Sequence, residues 1–409
     1  MICMIAWMTH KQQPNTTFER LNMTKHLISE KSAFAPVRFQ ATRPWWKPLG
    51  KLAAKADMAS YKKRSKILSD ELHPLVLKAV KERLGVRDPR IFQNESILIQ
   101  SFGGFLAYGR VIYELSEALT DNLAVTDFDD VTQEDLELQD GTVYLHFGDH
   151  PALHIDGIQY EGAFVSWKPN WNPDGSQGEN LLSICPIRHN AYKNKPIHYM
   201  AADLFESLPV FFKSPTETIK SAIAASRVQL EEQNKESLAQ MEQIKQKFLA
   251  AYGVEPDISG ALETIGLPSE DLYKRMTSIC LAVLSFLAAR PDDIESGWPA
   301  DAPSDKVERV MSAAPVRQEA ARRELENDGY VQVRYVGAKF ADSADTVRFF
   351  RKGQDAGETK RTIATHPRRG YFRRQPCGPG RKERRIKYIA PTIVNPGGKI
   401  GHGKIISVG

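Results

Sequence analysis

The sequence predicts an α+β fold: a helical and antiparallel β-meander body, a long exposed helix, and a small basic β-rich C-terminal module. Three observations lead there. Between Gly141 and Pro186 the apolar period is two, the mark of half-buried strands. A long amphipathic stretch from Ser214 towards Tyr252 follows, then a run over Ile279 to Ala289 that is apolar all round, so one helix is half exposed and the other is packed on several sides. Third, charge is sorted along the chain. Residues 1–90 carry 18 Lys/Arg against 7 Asp/Glu, residues 91–360 carry 25 against 42, and residues 361–409 carry 12 against 1. A formal net charge of only +5 therefore hides two basic ends around an acidic middle, and clustered charge governs association more than the total does.

The chain has 409 residues, 42% hydrophobic and 26% charged. That composition excludes disorder and fibrous repeats, and the length implies several units. Period and charge divide it into a loosely ordered lead-in (1–40), a basic-then-helical N-terminal region (41–135), the meander (136–213), the long helix with a buried helix and linker (214–305), and the basic module (306–409). Cys3, Cys185, Cys280 and Cys377 are scattered, which fits neither a zinc ribbon nor a disulfide framework and points to a reducing cytoplasm. The apolar Met1 to Met8 stretch lacks a basic flank and a cleavage site, so no signal peptide is expected, and Met23 offers a second start. Ile279 to Ala289 stops short of the about 18 apolar residues a bilayer span needs, so no membrane partner is expected.

Within the N-terminal region, Lys51 to Lys66 interleaves cations with Leu52, Met58 and Tyr61 beside Trp45 and Trp46. This reads either as a basic amphipathic helix for nucleic acid or an acidic protein face, or as aromatics capping a core. Two helices are expected between His73 and Glu117. The second holds Gly103, Gly104 and Gly109, which mark close helix packing, because no GKS or GKT follows to make a phosphate loop. In the meander, Val143 to Phe147, Ala152 to Ile155, Ala163 to Trp167 and Leu181 to Pro186 read as strands. His146, Asp149, His150, His154 and Asp156 crowd into eleven residues, but Asp149-His150-Pro151 breaks the register, so structural roles are expected and no metal or other cofactor. Ser214-Pro215-Thr216-Glu217 reads as a capping box for the long helix and Ser269 as the cap of the buried one. Arg290 to Asp305 reads as a linker, Gln318 to Glu326 as a charged helix, and Tyr330 to Val336 as a strand.

The C-terminal module carries the chemistry. Its core runs His366, Arg368, Arg369, Gly370, Tyr371, Phe372, Arg373, Arg374, and continues through Gly378, Gly380, Arg381, Arg384 and Arg385 into Tyr388, Pro391 and Asn395. Guanidinium groups fork onto phosphate and stack on bases, and Tyr371 and Phe372 add aromatic faces, so these residues point to a polyanion, RNA foremost. Arg385 to Asn395 alternates as a strand. With Val331 to Val336 and Thr346 to Phe350 it suggests a small β unit presenting a basic loop. Two other readings stand beside this one. His366 as a general base, with Arg368, Arg369 or Arg373 stabilising the phosphorane, would make a toxin-like ribonuclease, though acid–base partners are few. Alternatively the arginines pair with the acidic middle. A regulatory binding protein is favoured over an enzyme, with a plasmid or phage RNA-binding protein as a further alternative.

The pattern over residues 366–395 resembles the large, second-numbered type V-A anti-CRISPR family of phages, plasmids and other mobile elements. The shared residues are His366, Arg368, Arg369, Gly370, Phe372, Gly378, Gly380, Tyr388, Pro391 and Asn395. This chain departs by having Tyr371 where the family usually has a second histidine and Phe372 where it has tryptophan. The resemblance implies suppression of production of the type V-A CRISPR nuclease. Its partners would be the nascent N-terminal polypeptide of that nuclease and RNA or the ribosome, with loss of the messenger as the outcome.

Overall fold

The structure, a computed structural model, describes residues 34–42, 49, 51–52, 89–107, 110–136, 141–168, 179–189, 207–252, 267–299, 302–312, 314–328, 330–337 and 366–394. The fold is α+β, with the described helices and strands built around a mostly antiparallel sheet.

The expected meander forms. Strands β2 (Gly141–His146), β4 (Ile158–Lys168), β5 (Asn180–Arg188) and β6 (Leu208–Phe212) pair antiparallel in succession, with the short β3 (His154–Ile155) folded against β4. The sheet does not stop there. β1 (Ile112–Leu115) pairs parallel with β2 on one side and with β8 (Val333–Val336) on the other, and β7 (Ile294–Gly297) closes the edge against β8. The order is β6-β5-β4-β2-β1-β8-β7.

Three expectations are corrected here. Residues 112–115, inside a span read as helical, are a strand, consistent with the β-branched and aromatic Val111-Ile112-Tyr113. The linker from Arg290 contains an edge strand, because β8 has an open side that Ile294 to Gly297 can pair with. Val333–Val336 belongs to this central sheet and not to the C-terminal β unit, since it pairs with β1 and β7 and buries Val333 on one face and Val336 on the other. Thr346 to Phe350, Trp45, Trp46, Gly109 and most of Lys51 to Lys66 lie outside the described residues.

Helices cover both faces, which is why the strands are buried on alternate sides. On one face, Tyr144, Phe164, Cys185 and Val333 pack with α1 (Ala35–Thr42) and α2 (Pro89–Ala107). Close packing is seen at Gly104 of the predicted glycines. A Cβ on Gly104 would lie 2.3 Å from Thr142 Oγ1, so only glycine lets α2 approach β2 this closely. On the other face, Leu145, Val165, Leu182, Ile184 and Val210 pack with α3 (Glu117–Ala124), α4 (Ile219–Tyr252) and α5 (Glu270–Ala289). By length and composition α5 passes for a membrane span, but its Ile279 to Leu287 stretch is buried in this core. Ser269 caps α5 as expected, its hydroxyl accepting from Leu272 N at 3.0 Å. At α4 the cap is Thr218, accepting from Ser221 N at 3.2 Å. Ser214 to Glu217 instead forms the turn before it, with Glu217 N donating to Ser214 O. Two charged helices, α6 (Ser304–Ser312) and α7 (Pro315–Asn327), lead into β8 and are tied by Lys306 to Glu324 and Asp328.

The clustered histidines take structural roles. His150 Nδ1 accepts from Ala152 N at 3.1 Å and its Nε2 lies 3.4 Å from Asp121 Oδ1. His146 is buried on the other side, edge-on to Phe34 at 4.9 Å. Among the described residues no group of three His, Cys, Asp or Glu side chains converges as metal ligands.

Candidate nucleic-acid interface

The described part of the basic module is a hairpin and a short ribbon. β10 (Tyr371–Cys377) pairs antiparallel with β11 (Glu383–Ile389), and β9 (His366–Arg368) pairs with β12 (Thr392–Val394), His366 standing opposite Val394. The hairpin turn explains two of the motif glycines. Gly378 and Gly380 adopt φ of 74° and 65°, and Arg381 follows at 55°, a left-handed run that side chains disfavour and glycine accepts freely. The third, Gly370, sits where a Cβ would meet Pro391 Cδ and Thr126 Oγ1 at 2.9 Å. It hands its carbonyl to Asp127 N at 2.9 Å, and Phe372 N returns to Asp127 O at 3.0 Å.

Strand alternation splits the hairpin into two faces of opposite character. The inward face carries Phe372 opposite Tyr388 and Arg374 opposite Ile386. Phe372 and Tyr388 are 2% and 3% exposed, and both rings join the core beneath α5. Tyr388 meets Phe372 at 5.1 Å and Phe286 of α5 at 5.2 Å. Burial pushes the Tyr388 phenol up to about 12, with Thr126 acting against that shift. Arg374 reaches the 3₁₀ turn Gln133–Asp135, pairing with Glu134 and lying 3.2 Å from Asp135 Oδ1.

Two sequence expectations are therefore corrected. Phe372 offers no ring to a base, because its faces are spent on the core. Arg374 is in an intramolecular ion pair, the alternative reading of the arginines, because its strand parity turns it towards Glu134 and Asp135 of the body.

The outward face carries Tyr371, Arg373 and Gln375 on β10 opposite Ile389, Lys387 and Arg385 on β11. Arg373, Arg385 and Lys387 are exposed, as are Arg368 and Arg369 at the base and Arg381, Lys382 and Arg384 around the tip. Glu383 is the one acid in this stretch. The Arg368 guanidinium sits over the Tyr371 ring, 5.1 Å from its centroid, and donates to the phenol oxygen at 3.2 Å. Sequence reasoning missed Lys382, Lys387 and Gln375, although parity with Arg385 and Arg373 in a two-residue period would have placed Lys387 and Gln375 on this face. Asn395 and the side chain of His366 lie outside the described residues.

The hairpin thus seats Phe372 and Tyr388 of one face in the core and exposes cations on the other. The family model described as AcrVA2-like, anti-CRISPR type V subtype A2, matches residues 113–396. The chain belongs to that family. The AcrVA2-like match begins inside β1 and ends just past β12, so it takes in the whole sheet and the hairpin, while α1 and α2 precede it. A solved structure described as the crystal structure of AcrVA2 aligns with 88% of this chain and 98% of its own, at a TM-score of 0.39 and 13% identity. No curated protein matches.

Proposed function

We propose that this anti-CRISPR family member suppresses production of the type V-A CRISPR nuclease. It does so by recognising the nascent N-terminal polypeptide of the nuclease and lowering its messenger RNA, while the basic hairpin contacts RNA or the ribosome. The observation that carries the RNA half of this reading is the outward hairpin face. Its cations are held on a strand pair whose other side is anchored by Phe372 and Tyr388, and such fixed arginines lose little freedom on meeting phosphate. The acidic central region, 42 Asp/Glu against 25 Lys/Arg over residues 91–360, supplies a body of opposite charge for a peptide. The peptide half rests on family membership.

The test is co-expression with a type V-A nuclease gene, following transcript and protein. Loss of both is expected with native first codons and with synonymous codons, and protection when those codons specify a different peptide. Loss that ignores the peptide change overturns nascent-chain recognition.

A further inference from the structure

We infer that the outward face of the β10–β11 hairpin takes double-helical RNA by its phosphates and 2′-hydroxyls, not unpaired RNA by its bases. This rests on the RNA contact proposed above and names its substrate class.

Binding of single strands depends on exposed aromatic rings on which successive bases stack. The hairpin strands carry three aromatics, and none is free for that purpose. Phe372 and Tyr388 face inward and are buried. Tyr371, on the outward face, is only half exposed and already has the Arg368 guanidinium over its ring.

What the face does offer is charge at fixed spacing. Arg373 and Lys387 stand directly opposite each other, and Arg385 lies one same-face step along β11 from Lys387. Same-face positions on a strand are about 6.6–6.8 Å apart and paired strands about 4.8 Å apart. A rigid duplex presents phosphates in fixed rows to such a lattice, whereas a loose strand must be ordered to match it.

Shape argues the same way. Because Phe372 and Tyr388 seat the base of the inward face in the core beneath α5, that part of the hairpin meets a ligand flat, with one side only. A-form RNA has a deep, narrow major groove that such a surface cannot enter, and a wide, shallow minor groove that shows 2′-hydroxyls between its phosphate ridges. Gln375, opposite Arg385 and 3.4 Å from Arg373 through its Oε1, is the uncharged hydrogen-bonding amide among these cations. With its oxygen turned to Arg373, its amide nitrogen is the group to donate to a 2′-hydroxyl.

The full chain is titrated with an RNA duplex of about 16 base pairs, the span typical of duplex-binding modules. An unpaired RNA of the same length and a DNA duplex of the same sequence serve as comparisons. Duplex RNA is expected to bind at least about tenfold more tightly than either. Replacing Arg373, Arg385 and Lys387 by Gln should weaken it and flatten log K against log salt by about 0.9 per contact removed, the duplex value. Thermal unfolding of that variant should match the parent, since all three side chains are exposed. Equal or tighter binding of the unpaired strand, with Tyr371→Ala as the most damaging change, refutes the duplex inference and leaves the RNA contact standing. DNA duplex binding as tight as RNA refutes the 2′-hydroxyl role. Failure of every RNA to bind overturns the RNA contact itself.

Discussion

The ring of Tyr388 meets the ring of Phe286 edge-on, with centroids 5.2 Å apart and planes at 76°. One residue belongs to the basic hairpin and the other to the core helix α5, so this contact fastens the candidate interface to the body. Tyr388→Ala removes the hairpin's aromatic from that joint, together with its contact to Phe372. A loss of about 3–5 kcal/mol is expected in denaturant unfolding, the usual cost of deleting a core aromatic. Tyr388→Phe keeps the ring and gives up only the buried hydroxyl near Thr126, so its loss should be far smaller. Equal losses for the two variants would show that the ring packing does not hold the hairpin.

Arg373 and Arg374 are neighbours with opposite duties. Arg374→Gln leaves the Asp135 carboxylate, which is 5% exposed, with its Thr132 hydrogen bonds but without its counter-charge, and should cost about 1 kcal/mol of stability. The salt dependence of RNA binding should stay as it was. Arg373→Gln should do the reverse, leaving unfolding unchanged and lowering the salt slope. The same slope change from both variants would contradict the two-faced hairpin.

This pair also shows where sequence reading works and where it fails. The meander, the buried helix over Ile279 to Ala289 and the Ser269 cap were legible because period and capping are local signals. The strand β1 was not, since four residues between a helix and a Ser cap leave too short a period to detect, and their parallel partners lie far along the chain. In the hairpin, most of the cations named from the sequence are exposed, but Arg374 and Phe372 change role because of which face their parity presents. That depends on the body they dock against, which no local pattern records.

Gly104 and Thr142 give a test of the α2–β2 joint. A methyl group at residue 104 would fall 2.3 Å from Thr142 Oγ1, and that hydroxyl is itself 2.9 Å from Ser166 Oγ. Gly104→Ala gains helix propensity yet should destabilise by about 1–3 kcal/mol through overpacking. Adding Thr142→Ala should recover part of the loss, because the clashing oxygen goes with it. Additive losses in the double mutant would show that the clash is not with Thr142.

His146 makes stability depend on acid. Burial, reinforced by the positive charges of Arg38 and His189, lowers its pKa from 6.5 to about 3. Its Nδ1 meets no hydrogen-bond partner among the described residues. Glu161, which pairs with Arg38 and lies 3.4 Å from His189, is the carboxylate of the same cluster, and burial pushes its own pKa up. The folded His146 thus stays neutral while the unfolded one takes a proton below pH 6.5. Its contribution is fully present above pH 6.5 and is lost as pH falls from there towards 3. Between pH 7 and pH 5 the loss from this one group is about 2 kcal/mol. Denaturant melts of the parent across that window should show it, and His146→Phe, which keeps a ring beside Phe34 and cannot titrate, should flatten the profile by about one proton. An unchanged pH slope in the variant would place the acid sensitivity elsewhere.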